Sequence, residues 1–224
     1  MGDEFAWGAS IMINICFIVE GLSEEKFIEH VIVPHLEKLK NINSKVINLD
    51  GGIAKKRIER LIIGMSYTYD YVTTMIDFCR LHAAKFDNYS EIMRMDISSG
   101  EKASKLEEQL LSKFEVSQKL RIIPHIQPYE FEALCFADSN GLIKSDMLLE
   151  KHQKRIEIEK NKYLDCESIN NQELPAKRLE KYGYSKLSSL FYLHANLALI
   201  RESCPHFNQW IIKLENTVKT YDRY

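Results

Sequence analysis

The chain has 224 residues, 45% of them hydrophobic and 28% charged, with only 9 glycines and 5 prolines. That is enough ordinary globular sequence to bury a sizeable core, and it excludes a disordered, collagen-like or low-complexity chain. A net charge of −2 excludes a global positive field, so any contact with nucleic acid must be local.

The leading residues MGDEFAWGAS hold no basic segment and match no signal peptide, and Met12 makes a natural start, so they are set aside. Ile13 to Val19 (INICFIV) is a short apolar run rich in β-branched residues, which predicts a strand covered on both faces. Ile11 to Val19 falls far short of the roughly 20 residues of a membrane span. Glu20-Gly21 end the strand, Ser23 is placed to cap a helix, and Glu24 and Glu25 suit its first turn. That helix runs to about Asn41, kinked or split by Pro34. Val46 to Leu49 reads as a second strand, and Lys55 to Ile63 as a helix with Ile58, Leu61 and Ile62 on one side and a basic patch of Lys55, Lys56, Arg57 and Arg60 around the rest.

Tyr71 to Ile76 (YVTTMI) predicts the third strand, running straight into Asp77. Asn88 to Gly100 reads as a mobile polar connection and Glu101 to Phe114 as a helix. Leu120 to Ile126 (LRIIPHI) predicts a fourth strand that becomes irregular, or an edge, at Pro124. Strands alternating with helices predict an α/β fold, a parallel sheet of about four strands with helices on both faces. After Tyr129 the strand signals stop. Glu130 to Ala137, Met147 to Lys160, Ala176 to Tyr182 and Phe207 to Val218 read as helices, giving an α/β domain over 12–138 and a helical extension over 139–224 packed on it.

The chemistry is signalled by where the carboxylates fall. Glu20, Asp77 and Glu130 each follow the carboxyl end of an apolar strand, where open parallel sheets bind their ligands. Hard oxygen donors without a His or Cys cluster suit Mg²⁺ or Mn²⁺, and the reaction class that goes with them is phosphoryl transfer or phosphodiester hydrolysis. A polar residue at a strand end also serves simply to cap the next helix, and it is the joint placement that favours a site. The seven histidines show no zinc-type spacing, and His30 and His35 do not share a helix face, so no zinc site is expected. Five scattered cysteines without a CxxC pair predict reduced thiols and a cytoplasmic protein. No Walker loop or GxGxxG occurs. The basic clusters at Lys55, Lys56 and Arg57 and at Lys177, Arg178 and Lys181 read either as phosphate contacts or as solvated helix faces.

FIVEGLSEEKF, Phe17 to Phe27, resembles the first motif of TOPRIM proteins, found in topoisomerases, primases and the overcoming-lysogenization-defect nucleases. Together with YVTTMIDF, IQPYEFEALCFAD, INNQELPAKRL and IRESCPHFNQW, the order and spacing resemble a bacterial group, domain-of-unknown-function family 4276, over Met12 to about Glu215. The resemblance implies a TOPRIM-like domain with an acidic Mg²⁺ or Mn²⁺ site and an endonuclease acting on phosphodiester bonds of DNA or RNA. It also implies an AAA/ABC-type ATPase partner in an anti-phage defence system; a homodimer is the default assembly. Carried over residue by residue, Glu20 is the metal-site or acid–base carboxylate, Asp77 the first aspartate of the second motif and Glu24 an additional acid. Cys79 stands where the second motif usually has another aspartate, which leaves Glu130 or Glu132 to supply the missing carboxylate. Lys177, Arg178 and His206 fall in the later motifs and are expected at phosphate, with Lys177 or Arg178 neutralising charge there and Lys177 counted with the catalytic residues. The rival readings are a non-catalytic module that docks on the ATPase and phosphoryl chemistry on a small metabolite.

Overall fold

The computed structural model describes residues 12–81, 86–169, 173–186 and 190–221. The leading segment set aside above, and His82, lie outside them. Five strands form one parallel sheet: β1 (Ile13–Val19), β2 (Ile42–Asn48), β3 (Tyr71–Asp77), β4 (Ile122–Ile123) and β5 (Ile126–Gln127). The order is β2-β1-β3-β4, with β5 continuing the pairing along β3. Connections leave β1 toward β2 on one side and β3 on the other, so the order reverses between β1 and β3. That is the switch point, where a crevice opens outside the strands' carboxyl ends.

β1 explains the two-sided burial. Ile13, Ile15, Phe17 and Val19 join one core cluster, and Cys16 and Ile18 join another on the opposite face. The second face is covered by the helices Lys55–Ser66 and Ser99–Leu111, through Ile58, Ile62, Ala103, Leu106 and Leu110. The first is covered by Phe27, Ile28 and Ile32 and by the C-terminal helix Pro205–Thr220. From that helix Phe207, Trp210, Ile211, Leu214 and Val218 enter the core, and the Trp210 indole N–H donates to Thr73 Oγ1 on β3 at 2.8 Å. The helices after Tyr129 therefore share one core with the sheet. No helix among the described residues is long and apolar enough to cross a membrane.

Several elements differ from the sequence reading. β2 begins at Ile42 rather than Val46, because the edge position tolerates the polar Asn43, Ser44 and Lys45. The first long helix is α-helical over Leu22–Phe27, π-helical over Ile28–Ile32 and α-helical again over Val33–Glu37. A widened turn ahead of Pro34 accommodates a ring that would clash with the carbonyl four residues earlier. Ser23 is not its cap: Gly21 holds that position, with no side-chain cap hydrogen bond. The segment expected to be a polar connection contains a helix, Tyr89–Arg94, and ends in a capping box of Ser98 and Glu101. The expected fourth strand is two short pairings interrupted at Pro124-His125, as its proline requires.

Candidate functional site

The register of the sheet assembles the acids. Val19 on β1 lies beside Met75 on β3, so Glu20 and Asp77 leave the sheet side by side at its carboxyl edge. The Asp77 backbone N–H donates to Glu20 Oε2 at 3.1 Å, and the Glu20 N–H donates to the Met75 carbonyl at 3.2 Å. Glu24 reaches back from the next helix. Its Oε2 would lie 3.2 Å from a Cβ on Gly21, so the glycine leaves room for the carboxylate to fold over the loop. Tyr129, with φ of 61°, turns the chain sharply after β5 and directs it into the helix Glu132–Ala137, which brings in Glu132.

Glu20, Glu24, Asp77 and Glu132 are all buried, and the cation placed among them is Lys186. Its ammonium donates to Glu24 Oε1 at 3.2 Å and lies 3.7 Å from Glu132 Oε1, which also accepts from the Tyr184 hydroxyl at 3.1 Å. The exposed Arg80 sits 3.4 Å from Glu20 Oε1. Among the described residues, three carboxylate oxygens, Glu24 Oε2, Asp77 Oδ1 and Glu132 Oε2, are buried without a hydrogen-bond partner. Unsatisfied buried acceptors of this kind carry a desolvation penalty that a cation or a proton relieves, and an all-oxygen donor set suits a hard divalent ion. The site residues thus fit Mg²⁺ or Mn²⁺.

The electrostatics follow from crowding. Burial, reinforced by the Glu24 carboxylate, pushes Glu20 up to about 7. Burial holds Asp77 well above its ordinary value and raises Glu132, with Lys186 opposing in both cases. For Lys186, burial works against the charge, but Asp77, Glu132 and Glu24 outweigh it and raise the ammonium. An acid raised in the folded state binds more protons folded than unfolded, so its ionisation opposes folding. Metal-free protein is accordingly expected to lose stability as pH climbs from about 4.5 to about 7. Glu20 alone accounts for on the order of 1–3 kcal/mol of that loss. Urea denaturation in chelator across this range should show a flatter profile for Glu20→Gln; an identical profile would remove Glu20 as the source.

The other predicted residues lie elsewhere. Glu130 accepts from the Ala176 N–H at 3.0 Å and so anchors the helix Pro175–Glu180, while Cys79 Sγ lies 3.9 Å from its other oxygen. Lys177 is exposed on that helix, and Arg178 pairs with Glu159 and donates to the Glu173 carbonyl. Lys55 pairs with Asp87 at 2.7 Å, Arg57 donates to the carbonyls of Leu49 and Gly52, and Lys56 is exposed. His206 is buried against Glu107, its Nε2 2.8 Å from Oε1. Lys186 and Arg80 escaped the sequence reading. Lys186 lies in no apolar periodicity, just past Gly183 in its left-handed turn (φ of 97°), and only the tertiary fold brings it to the acids.

A family model described as Domain of unknown function (DUF4276) matches residues 19–215. No curated protein and no solved structure matches the chain significantly. The matched span runs from the end of β1 into the C-terminal helix and takes in every acid of the cluster together with Lys186. The chain belongs to the DUF4276 family.

Proposed function

We propose that the protein is a metal-dependent nuclease of TOPRIM type that hydrolyses phosphodiester bonds of DNA or RNA. The observation that carries this reading is the convergence of four buried carboxyl groups at the switch point, three of their oxygens without hydrogen-bond partners among the described residues. The TOPRIM-like pattern of FIVEGLSEEKF supports it, and the same resemblance suggests an ATPase partner and a defence role.

In this reading Asp77, Glu24 and Glu132 hold Mg²⁺ or Mn²⁺, and Glu20 borders them. A bound divalent ion supplies Lewis-acid polarisation of a phosphoryl oxygen. Glu20, poised near neutrality, accepts a proton from the attacking water, because a base works best when its pKa lies near the operating pH. Lys186 places positive charge where negative charge develops on the phosphate, and Arg80, on the exposed rim, orients the backbone of the incoming strand. Glu130 acts indirectly by holding the helix that carries Lys177 and Arg178.

Calorimetry with Mg²⁺ and Mn²⁺ is expected to show binding by the wild type that Glu20→Gln weakens and Asp77→Asn abolishes. Asp77→Ala should lose cleavage of single- and double-stranded DNA, RNA and transfer RNA while keeping its circular dichroism. A second reading, a non-catalytic module docking on an ATPase, is favoured by Lys186, whose ammonium already answers the acids' charge. Absence of divalent-metal binding by the wild type would select it.

A further inference from the structure

Away from the strand-end acids, the described residues contain one set of three metal-ligating side chains whose donor atoms all lie within 4.8 Å of one another: Glu107, His125 and His206. They come from three separate elements. Glu107 lies on the helix Ser99–Leu111, His125 in the break between β4 and β5, and His206 at the start of the C-terminal helix. All three are buried, His125 completely.

The hydrogen bonds fix the state of His125. The Gln127 side-chain amide donates to the Pro128 carbonyl at 3.4 Å, which turns its oxygen to His125 Nε2, 3.1 Å away. The imidazole must therefore donate from Nε2, and its Nδ1 is left as a lone pair. Among the described residues that Nδ1 has no hydrogen-bond partner, and it lies 3.8 Å from Glu107 Oε1. Glu107 Oε1 itself accepts from the Ile126 backbone N–H at 2.8 Å, its 3.8 Å gap to His125 Nδ1 is too long for a shared proton, and the buried Nδ1 lone pair carries a desolvation cost that a cation beside it relieves. Metal–nitrogen and metal–carboxylate bonds of about 2.0–2.2 Å span such a gap with a bent angle. His206 Nε2 lies 2.8 Å from the same Glu107 oxygen. The imidazole rings of His125 and His206 stack with centroids 5.2 Å apart and planes 24° from parallel.

The surroundings are built to hold these groups. The Trp210 indole stacks on His125 at 4.6 Å and 12°. Glu167 accepts from the backbone N–H groups of His206 and Phe207 at 2.7 and 2.9 Å, fixing the first turn of the C-terminal helix and with it the His206 ring. Gln127 plays the part of the outer hydrogen-bond acceptor that metal-bound histidines commonly have. A cavity of about 230 Å³, lined by Ser99, Gly100, Asp165, Glu167, His206 and Gln209, borders the group on the His206 side.

We propose that Glu107, His125 and His206 form a binding site for a divalent transition metal of the zinc class. Two imidazoles and one carboxylate select a borderline-soft ion over Mg²⁺, so this site differs in chemistry as well as place from the strand-end acids. It joins the sheet, the helix beneath it and the C-terminal helix through one ion.

The test is a titration of chelator-stripped full-length protein with Zn²⁺ and Co²⁺ in excess Mg²⁺. One equivalent of Zn²⁺ should bind and raise the melting temperature. His125→Gln, His206→Gln and Glu107→Gln should each weaken binding by more than about 100-fold, Gln127→Met by about 10-fold, on the scale of ligand and outer-partner losses. Asp77→Asn should leave it unchanged. Independently of whether the ligand variants fold, the Co²⁺-loaded wild type supplies a second readout: two paramagnetically shifted, exchangeable imidazole N–H resonances. No stoichiometric uptake, uptake insensitive to the His125 and His206 substitutions in folded variants, or fewer than two imidazole resonances overturns the proposal.

Discussion

Replacing Lys186 by methionine is expected to destabilise the metal-free protein by on the order of 2 kcal/mol at pH 8. The lysine ammonium is the compensating charge for Glu24 and Glu132, and Asp77 lies within its field. Deleting it leaves completely or nearly completely buried carboxylates facing one another. The loss falls below the ~3–5 kcal/mol of a fully enclosed pair, because 41% of the lysine side chain is exposed. The sign with pH is definite. Glu20 is pushed up to about 7 and burial raises Asp77 and Glu132, so lowering the pH toward 5 removes negative charge from the cluster and the variant should move toward wild-type stability. Saturating Mg²⁺ should also rescue it, and should bind the variant more tightly, since a competing cation has gone. Urea denaturation at both pH values, with and without Mg²⁺, checks each arm; a variant as stable as wild type at pH 8 in chelator would falsify the placement of Lys186 among the acids.

Trp210→Ala should cost about 3–5 kcal/mol, the range for emptying a large aromatic site in a core. Three losses coincide. The indole leaves the cluster it shares with Phe17 and Phe207, Thr73 loses its N–H donor, and the face of His125 is uncovered. Trp210→Phe keeps most of the volume and should cost less than half as much, the remainder being the hydrogen bond and the imperfect fit. Chemical denaturation gives both numbers. Equal, small losses in the two variants would mean that the C-terminal helix rests on the sheet without anchoring it.

The sheet was legible where burial on both faces left an uninterrupted apolar signature. β1 runs over the predicted Ile13 to Val19, and β3 extends one residue past Tyr71 to Ile76 to include Asp77. β2 was only half visible, since an exposed edge admits Asn43, Ser44 and Lys45 and loses the apolar signal. Short helices such as Ser139–Ser145 and Leu197–Ser203 were missed because one or two turns are too few to establish a period. The candidate site divides along the same line. Glu20 and Asp77 could be found because each terminates a strand, whereas Glu24 read as an ordinary first-turn acid and entered the site only through the TOPRIM resemblance. Of the two acids of YEFEAL, spacing could not choose between Glu130 and Glu132; the turn at Tyr129 and the Ala176 N–H place Glu132 in the cluster and Glu130 against a helix end. Lys186, and the meeting of His125 with His206, depend on how remote segments pack, which no local pattern records.

The position of the last helix has a kinetic consequence. The face of β1 formed by Ile13, Ile15, Phe17 and Val19 is closed partly by Phe207, Trp210, Ile211 and Leu214. During synthesis the first strand leaves the ribosome long before the helix that covers it. At about 5–20 residues per second the interval is on the order of 10–40 s. Through that interval β1 and β3 can pair only as a sheet with one apolar side covered in part by Phe27, Ile28 and Ile32, and parallel pairing across long loops is itself slow. The nascent chain therefore carries this incompletely covered face until Pro205–Thr220 emerges, and a stall or truncation short of Pro205 would strand it there.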